Sequence, residues 1–562
     1  MFKNIISLLR KRRNNETKIS FQSKTRAGQL LEIMKKGGGI KGKEDKKLLS
    51  LNLKGGKTKY PKFQIFPKKK LIVISGTNPR YPLIDPYAFA WIRKDPITKV
   101  YVYNVLEPVL TESDKKILER LKNGLIEVID IPLTKVKNED KLLEFLEEKV
   151  QMLLEAYDIT LPPNKYLNIM YYIYRDFVGL NEIEPIMHDP YVEDFGVDGV
   201  GVPLYVIHQK FGSLKTNIVF NNEEKLRDFV IKLAERSDRY ISYAEPLLDG
   251  TLADGSRVQA TLASDVTTRG PTFTIRKFRS EPFTPVDMIM LKTASSELMA
   301  YLWYTIELRK NILICGGTST GKTSFLNAIS LFIPIESKIV SIEDTREISL
   351  PHEHWIPGLA RPSFTGTKIG EVSMFDLLRE SFRQNPDYLI VGEVRGKEAY
   401  VMFQGMASGH PSFSTMHAAS LDDVIKRLRS PPIELSPSLI ETLDIVIVMI
   451  HAKQFGKSMR RVKEIMEIQS INPDTGEVDS VKAFGWIPAD DQIEYKGYSW
   501  VLNKISIDEG VPMRKVLSEI SLRKKVLEWL VERGIRDLNS VSKYIVMYQT
   551  DRERLLKLIE KK

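Results

Sequence analysis

Residues 311–329 read Asn-Ile-Leu-Ile-Cys-Gly316-Gly317-Thr318-Ser319-Thr320-Gly321-Lys322-Thr323-Ser324-Phe-Leu-Asn-Ala-Ile. The spacing is G-x-x-x-x-G-K-T, entered by an apolar run and left by a helical pattern. Glycines at these positions let successive backbone N–H groups turn toward phosphate oxygens. The following helix adds the positive end of its dipole. Residues Gly316 to Ser324 are therefore expected to cradle a nucleoside polyphosphate. Lys322 is expected at the β/γ-phosphates and Thr323 as a Mg²⁺ ligand.

Breaking the terminal phosphate bond also requires carboxylates beside that loop. Two apolar runs end in acids: Lys338-Ile-Val-Ser-Ile-Glu343-Asp344-Thr345-Arg346-Glu347, and Pro386-Asp387-Tyr-Leu-Ile-Val-Gly392-Glu393-Val394-Arg395-Gly396. In open α/β sheets, ligands sit at such strand ends. Either Glu343 or Glu393 could hold Mg²⁺ through a water, or orient the attacking water. The alternative is a structural ion pair with Arg346 or Arg395.

A third segment, Gly405-Met-Ala-Ser408-Gly409-His410-Pro-Ser412-Phe-Ser414-Thr415-Met-His417-Ala, reads as a strand after a glycine turn. It holds two of the chain's seven histidines, and the chain has one cysteine, so no metal-ligand cluster forms here. An imidazole in this segment could sense the γ-phosphate; a satisfied core histidine is the alternative.

These residues need a sheet to hold them. From Val286 onward, helical patterns and apolar strands alternate, which predicts a parallel sheet covered on both faces. Upstream, strands are predicted at 71–75, 101–105, 204–208 and 217–220. Helices are predicted at 113–122, 138–157, 166–177 and 222–236. Residues 250–280 read as strand-rich, with Pro282 and Pro285 marking a linker. The expected division is a basic tail (1–70), an α/β subdomain (71–160), an α+β domain (161–283), the nucleotide domain (284–510) and a helical extension (511–562).

The chain has 562 residues, 43% apolar and 28% charged, an ordinary globular composition. Its lone cysteine, Cys315, excludes an intramolecular disulfide framework. No apolar run reaches the roughly 18 residues of a spanning helix, and the N-terminus lacks a secretory signal pattern. Charge is uneven: residues 1–70 hold 21 Lys/Arg against 4 Asp/Glu, a net +17, so the other residues carry −6 of the total +11. Such a tail cannot bury enough apolar surface to offset backbone entropy, and a disordered, solvated segment is expected. Because Phe2, Ile5, Ile6, Leu8 and Leu9 precede Arg10-Lys11-Arg12-Arg13, an anionic membrane surface is the next reading. Nucleic acid is the least favoured partner, since aromatic interleaving is sparse.

The loop at 316–323, SIEDTRE at 341–347, GEVRG at 392–396 and GHPSFSTMHA at 409–418 occur in an order that resembles the Walker A, Asp box, Walker B and His box of the type II/type IV secretion ATPase superfamily. Upstream, Ala244–Val258 and Arg269–Phe278 resemble its archaeal branch of archaellum-motor and pilus-assembly ATPases. The likeness covers roughly residues 165–510. It implies a RecA-like, ATP- and Mg²⁺-using C-terminal domain and a smaller α+β N-terminal domain hinged near Pro282–Pro285. It also implies a homo-hexamer, cytoplasmic and peripheral to the inner membrane face, acting on a polytopic membrane platform protein.

By motif position Arg257, Arg269 and Arg276 become catalytic candidates with Glu343, Glu393 and His417. Guanidinium forks suit the spreading phosphate charge, although surface ion pairs would serve such arginines equally well. Arg379, Arg383 and Arg395 are further candidates for a subunit face. Two departures stand out: the four-cysteine zinc module of many bacterial relatives is impossible here, and Thr345-Arg346 replaces the usual proline and apolar residue. The expected function is a filament-assembly, secretion or rotation motor. A DNA-transfer ATPase and a nucleotide-gated scaffold with little hydrolysis are the alternatives.

Overall fold

The computed structural model describes residues 60–65, 76–129, 139–262, 264–278, 281–361, 370–454, 457–473 and 475–560. The strand expected at 71–75 and nearly all of the basic tail lie outside these residues. The chain divides into two compact units between Lys277 and Phe278.

The first unit is built on a nine-stranded sheet. Its strands are β1 (Arg80–Ile84), β2 (Ala88–Lys94), β3 (Tyr101–Leu106), β4 (Val192–Val197), β5 (Pro203–His208), β6 (Gly212–Val219), β7 (Leu247–Thr251), β8 (Arg257–Thr261) and β9 (Thr272–Arg276). The order is β1-β2-β3-β6-β5-β4-β9-β8-β7. Every pairing is antiparallel except β3 with β6, so strands on either side of residue 160 share one sheet. Helices at Glu112–Val128, Glu139–Ala156, Pro163–Ile173 and Glu223–Arg236 supply Leu121, Leu125, Val150, Leu153, Ile169 and Leu233 to its core. Asn222 caps the last of them by accepting the Lys225 N–H at 3.2 Å.

Residues 60–65, grouped by composition with the tail, pack instead against this unit. Tyr60 stacks on Tyr166 with centroids 4.3 Å apart, and the Phe63 N–H donates to Glu147 at 2.5 Å. Two buried aromatics overcome the local excess of lysine.

Residues of β1, β3 and β5 join Asp189 in a buried polar chain. Tyr81 and Tyr103 donate their hydroxyls to Asp189 Oδ2 at 2.7 and 2.6 Å. His208 Nε2 lies 3.2 Å from the Tyr81 hydroxyl, and its Nδ1 accepts the Lys210 N–H at 3.1 Å. The tautomer that satisfies both contacts carries its proton on Nε2. Burial therefore pushes the His208 imidazole down to about 4, against the pull of Asp189.

The second unit also holds nine strands: β10 (Ile312–Gly316), β11 (Ile339–Glu343), β12 (Trp355–Leu359), β13 (Tyr388–Val391), β14 (Ser412–Met416), β15 (Ile445–Gln454), β16 (Lys457–Ile471), β17 (Val478–Ile487) and β18 (Gln492–Tyr495). Their order is β12-β11-β13-β14-β10-β15-β16-β17-β18. The first six are parallel. β10, β11, β13 and β14 are buried at every position, as strands covered on both faces require. The alternating polar run after residue 457 adds an antiparallel extension, β16 to β18, which the α/β pattern did not foretell. Helices Met513–Glu532 and Leu538–Thr550 bring Val526, Leu527, Leu530, Val541 and Ile545 into one core with Trp303, Ile312 and Ile314. Buried Arg523 joins this layer to Glu307 and pairs with Glu519 one turn back on its own helix. Pro285 opens a capped helix, Pro285–Met290, whose Asp287 pairs with Arg536 at 2.7 Å. The chain from Thr284 onward is thereby tied to the helical layer of the second unit.

Candidate active site

Parallel pairing puts the carboxyl ends of β11, β13, β14 and β10 along one edge of the sheet. Each ends in one of the four motifs. In register, Cys315 faces Met416 and Ile342 faces Val391, so the residues that follow these positions are neighbours.

The loop after β10 turns through left-handed backbone at Ser319 (φ 58°) and Gly321 (φ 88°) before helix Lys322–Ser330 begins. A Cβ on Gly316 would lie 2.6 Å from the Met449 carbonyl, so the first loop position admits only glycine. Gly317, Thr318 and Ser319 are exposed, Thr320 and Lys322 are buried, and Thr323 and Ser324 are half-buried on the helix's first turn. Thr320 Oγ1 donates to the Gly317 carbonyl at 3.0 Å. Lys322 Nζ donates to the Gly316 and Gly317 carbonyls at 3.1 and 2.9 Å. This cradle of glycines, a buried ammonium and a half-buried threonine hydroxyl fits a Mg²⁺-bound nucleotide.

Lys322 Nζ also lies 3.3 Å from His417 Nδ1. His417 Nε2 lies 3.3 Å from Glu393 Oε1, close but off the line of a hydrogen bond, since that oxygen is buried without a partner. An ammonium can only donate, so Nδ1 accepts and the ring proton sits on Nε2, facing the carboxylate. Burial and the Lys322 charge hold the imidazole below its ordinary value despite Glu393. Glu393 Oε2 accepts from Arg395 at 2.6 Å. Burial works against its ionisation, but the Arg395 hydrogen bond and charge prevail and keep the carboxyl below its usual range.

Glu343, at the end of β11, is only 3% exposed. Its Oε1 accepts the N–H groups of Glu347 and Ile348 at 2.8 and 2.9 Å. Burial nevertheless pushes this carboxyl up to about 7. Gly392 lies against it: a Cβ there would sit 3.3 Å from Glu343 Cγ. The two acids thus differ in kind, one held ionised and one readily protonated.

His410 is not among these groups. It precedes β14 at the opposite end of the strand, edge-on to Phe382 at 5.4 Å. Arg379 and Arg383 are exposed on and just after helix Met374–Ser381. The upstream arginines belong to the first unit. Arg257 and Arg276 are directly opposed on β8 and β9, and each faces an acid. Arg257 makes a two-pronged pair with Asp249 at 3.1 and 2.8 Å, and Arg276 lies 3.9 Å from Asp194. Arg269 is exposed in the turn before β9, its carbonyl accepting the Val200 N–H at 2.8 Å.

One contact escaped sequence reasoning. Arg460, on β16, donates from Nε to the Ser319 carbonyl at 3.0 Å. Nothing in Met459-Arg460-Arg461 marks it, because its partner is 141 residues away.

The family model for "Type II/IV secretion system protein" matches residues 206–477. Uncharacterized protein MJ0900 of Methanocaldococcus jannaschii is 36% identical over 516 residues, spanning 87% of this chain and 92% of that one. Type IV secretion system protein PtlH of Bordetella pertussis is 31% identical over 263 residues, spanning 41% of this chain and 76% of that one. Among solved structures, the VirB11 ATPase of the Brucella suis type IV secretion system is 23% identical, covering 50% of this chain and 91% of that one with a TM-score of 0.26. The matched stretch takes in all four strand-end motifs, and with these relatives it establishes that the chain belongs to the type II/IV secretion system protein family.

Proposed function

We propose that this chain is the ATP-hydrolysing subunit of a homo-hexameric motor. It would act at the inner face of the cell membrane through a polytopic platform protein, driving assembly, secretion or rotation of a pilus-like filament. The observation that carries the reading is the contact series Lys322–His417–Glu393, which joins the phosphate loop to an ionised carboxylate. Among the described residues no helix is long and apolar enough to cross a membrane, which is compatible with docking on a membrane partner.

In this reading the amides of 317–322 bind phosphate oxygens, and Lys322 exchanges its two loop carbonyls for the β/γ-phosphates. Thr323 and the carboxylates would hold Mg²⁺, which supplies charge neutralisation across the phosphates when bound. Glu393 orients the attacking water, and His417 registers the terminal phosphate through its place between Lys322 and Glu393. Glu343, fixed by the Glu347 and Ile348 amides, would be the second carboxylate of that site. Arg257, Arg269 and Arg276 would offer guanidinium groups to the phosphates, Arg257 and Arg276 by leaving Asp249 and Asp194.

The test is Lys322→Ala. It removes the ammonium that meets the phosphates and should abolish turnover and weaken ATP binding by about a hundredfold, the scale of two charge-assisted hydrogen bonds. Wild-type turnover in that variant would reject the assignment.

A further inference from the structure

We propose that Arg460 is a positioning residue for the phosphate loop, holding the Ser319 carbonyl outward so that the next amide faces a bound phosphate; this rests on the nucleotide reading above. A trans peptide places its C=O and N–H on opposite sides. Drawing the Ser319 carbonyl toward β16 at 3.0 Å therefore turns the Thr320 N–H the other way, away from β16. The loop's own side chains secure other carbonyls: Thr320 takes that of Gly317, and Lys322 takes those of Gly316 and Gly317. For Ser319 the anchor comes from a different strand.

Two further observations fit this role. Ser319 sits at φ 58°, a left-handed conformation that a non-glycine residue keeps only when its surroundings impose it. The Arg460 stem also runs along the loop, since a Cβ on Gly321 would come within 3.3 Å of its Cδ. Its neighbour Arg461 is spent elsewhere, paired with Asp491 at 2.7 and 2.9 Å. Adjacent residues on a strand point to opposite faces, so the two arginines divide the work between loop and scaffold. The guanidinium also places positive charge beside the phosphates.

The experiment compares Arg460→Met, which keeps the stem and removes the N–H donors, with Arg460→Lys, which keeps a cationic donor. MgADP and MgATP binding to the full chain are measured by calorimetry, with turnover at saturating ATP alongside. Arg460→Met should weaken both nucleotides by about tenfold, the scale of one charge-assisted hydrogen bond. Arg460→Lys should recover to within about threefold of wild type, and saturated turnover should change by less than about twofold in either, the signature of lost ground-state binding. Wild-type binding in Arg460→Met, with Lys322→Ala having lost it, overturns the proposal. Equal losses in the Met and Lys variants also overturn it, because packing alone would then explain them. Wild-type binding in Lys322→Ala would overturn the nucleotide reading instead. If Arg460→Met does not fold, Arg460→Leu, likewise without a donor, takes its place with the same outcomes.

Discussion

The first unit should be acid-labile through one histidine. His208 is fully buried, stacked 5.7 Å from Tyr191 and edge-on to Phe211 at 5.2 Å. Asp189 and Glu193 favour its charged form, and Lys210 and burial disfavour it; burial is the largest influence. Its pKa falls from 6.5 to about 4. Between those values the unfolded chain holds a proton that the native state does not, so stability falls as pH falls. At about 1.4 kcal/mol per pKa unit, the gap is worth about 3 kcal/mol, absent above pH 6.5 and fully expressed below about pH 4. His208→Phe keeps the aromatic packing and removes the titration. Its stability at neutral pH should drop through loss of two hydrogen bonds, but the acid-dependent part of the loss should disappear. Urea unfolding of both proteins from pH 7.5 to 4, read by tyrosine fluorescence, measures the two slopes. A wild-type slope no steeper than that of His208→Phe would refute the reasoning, as would an NMR titration of His208 near 6.5.

Glu393→Gln should bind MgATP within about threefold of wild type while turnover drops by at least about a hundredfold, the lower bound for a positioned acid or base; unchanged turnover would move the chemistry to Glu343. Arg523→Met should destabilise the second unit by about 2 kcal/mol, because half-buried Glu307 loses its cation and keeps only the Trp303 and Gln549 donors, while Glu519 keeps Arg552. Its denaturant midpoint, with an unchanged slope, checks this.

The parts of the site carried by short-range spacing were legible in the residue string. A glycine loop between a strand and a helix, and acids closing apolar runs, are local statements, and parallel pairing then brings them together. What the string left open depends on where side chains end up across the sheet. His410 and His417 are seven positions apart, and only β14 between them assigns one to the strand end facing Lys322. Likewise Glu343 and Glu393 look alike as sequence, but the first is buried on backbone amides and the second is half-covered beside Arg395. Arg460 lies too far along the chain from Ser319 for any pattern to connect them. Tyr60 and Phe63 were hidden for the opposite reason, since averaging over seventy residues submerged two aromatics in lysine.

The recognisable family stretch stops at residue 477, yet Leu527, Leu530 and Ile545 close over the same apolar interior as Ile312 and Ile314, the strand that delivers the phosphate loop. The border of that matched stretch is thus not the border of the fold. A gene trimmed to the matched region would expose the underside of the nucleotide strand to water and strand Glu307 without Arg523. The smallest piece worth expressing runs through Ile559, which packs on that interior beyond buried Leu555.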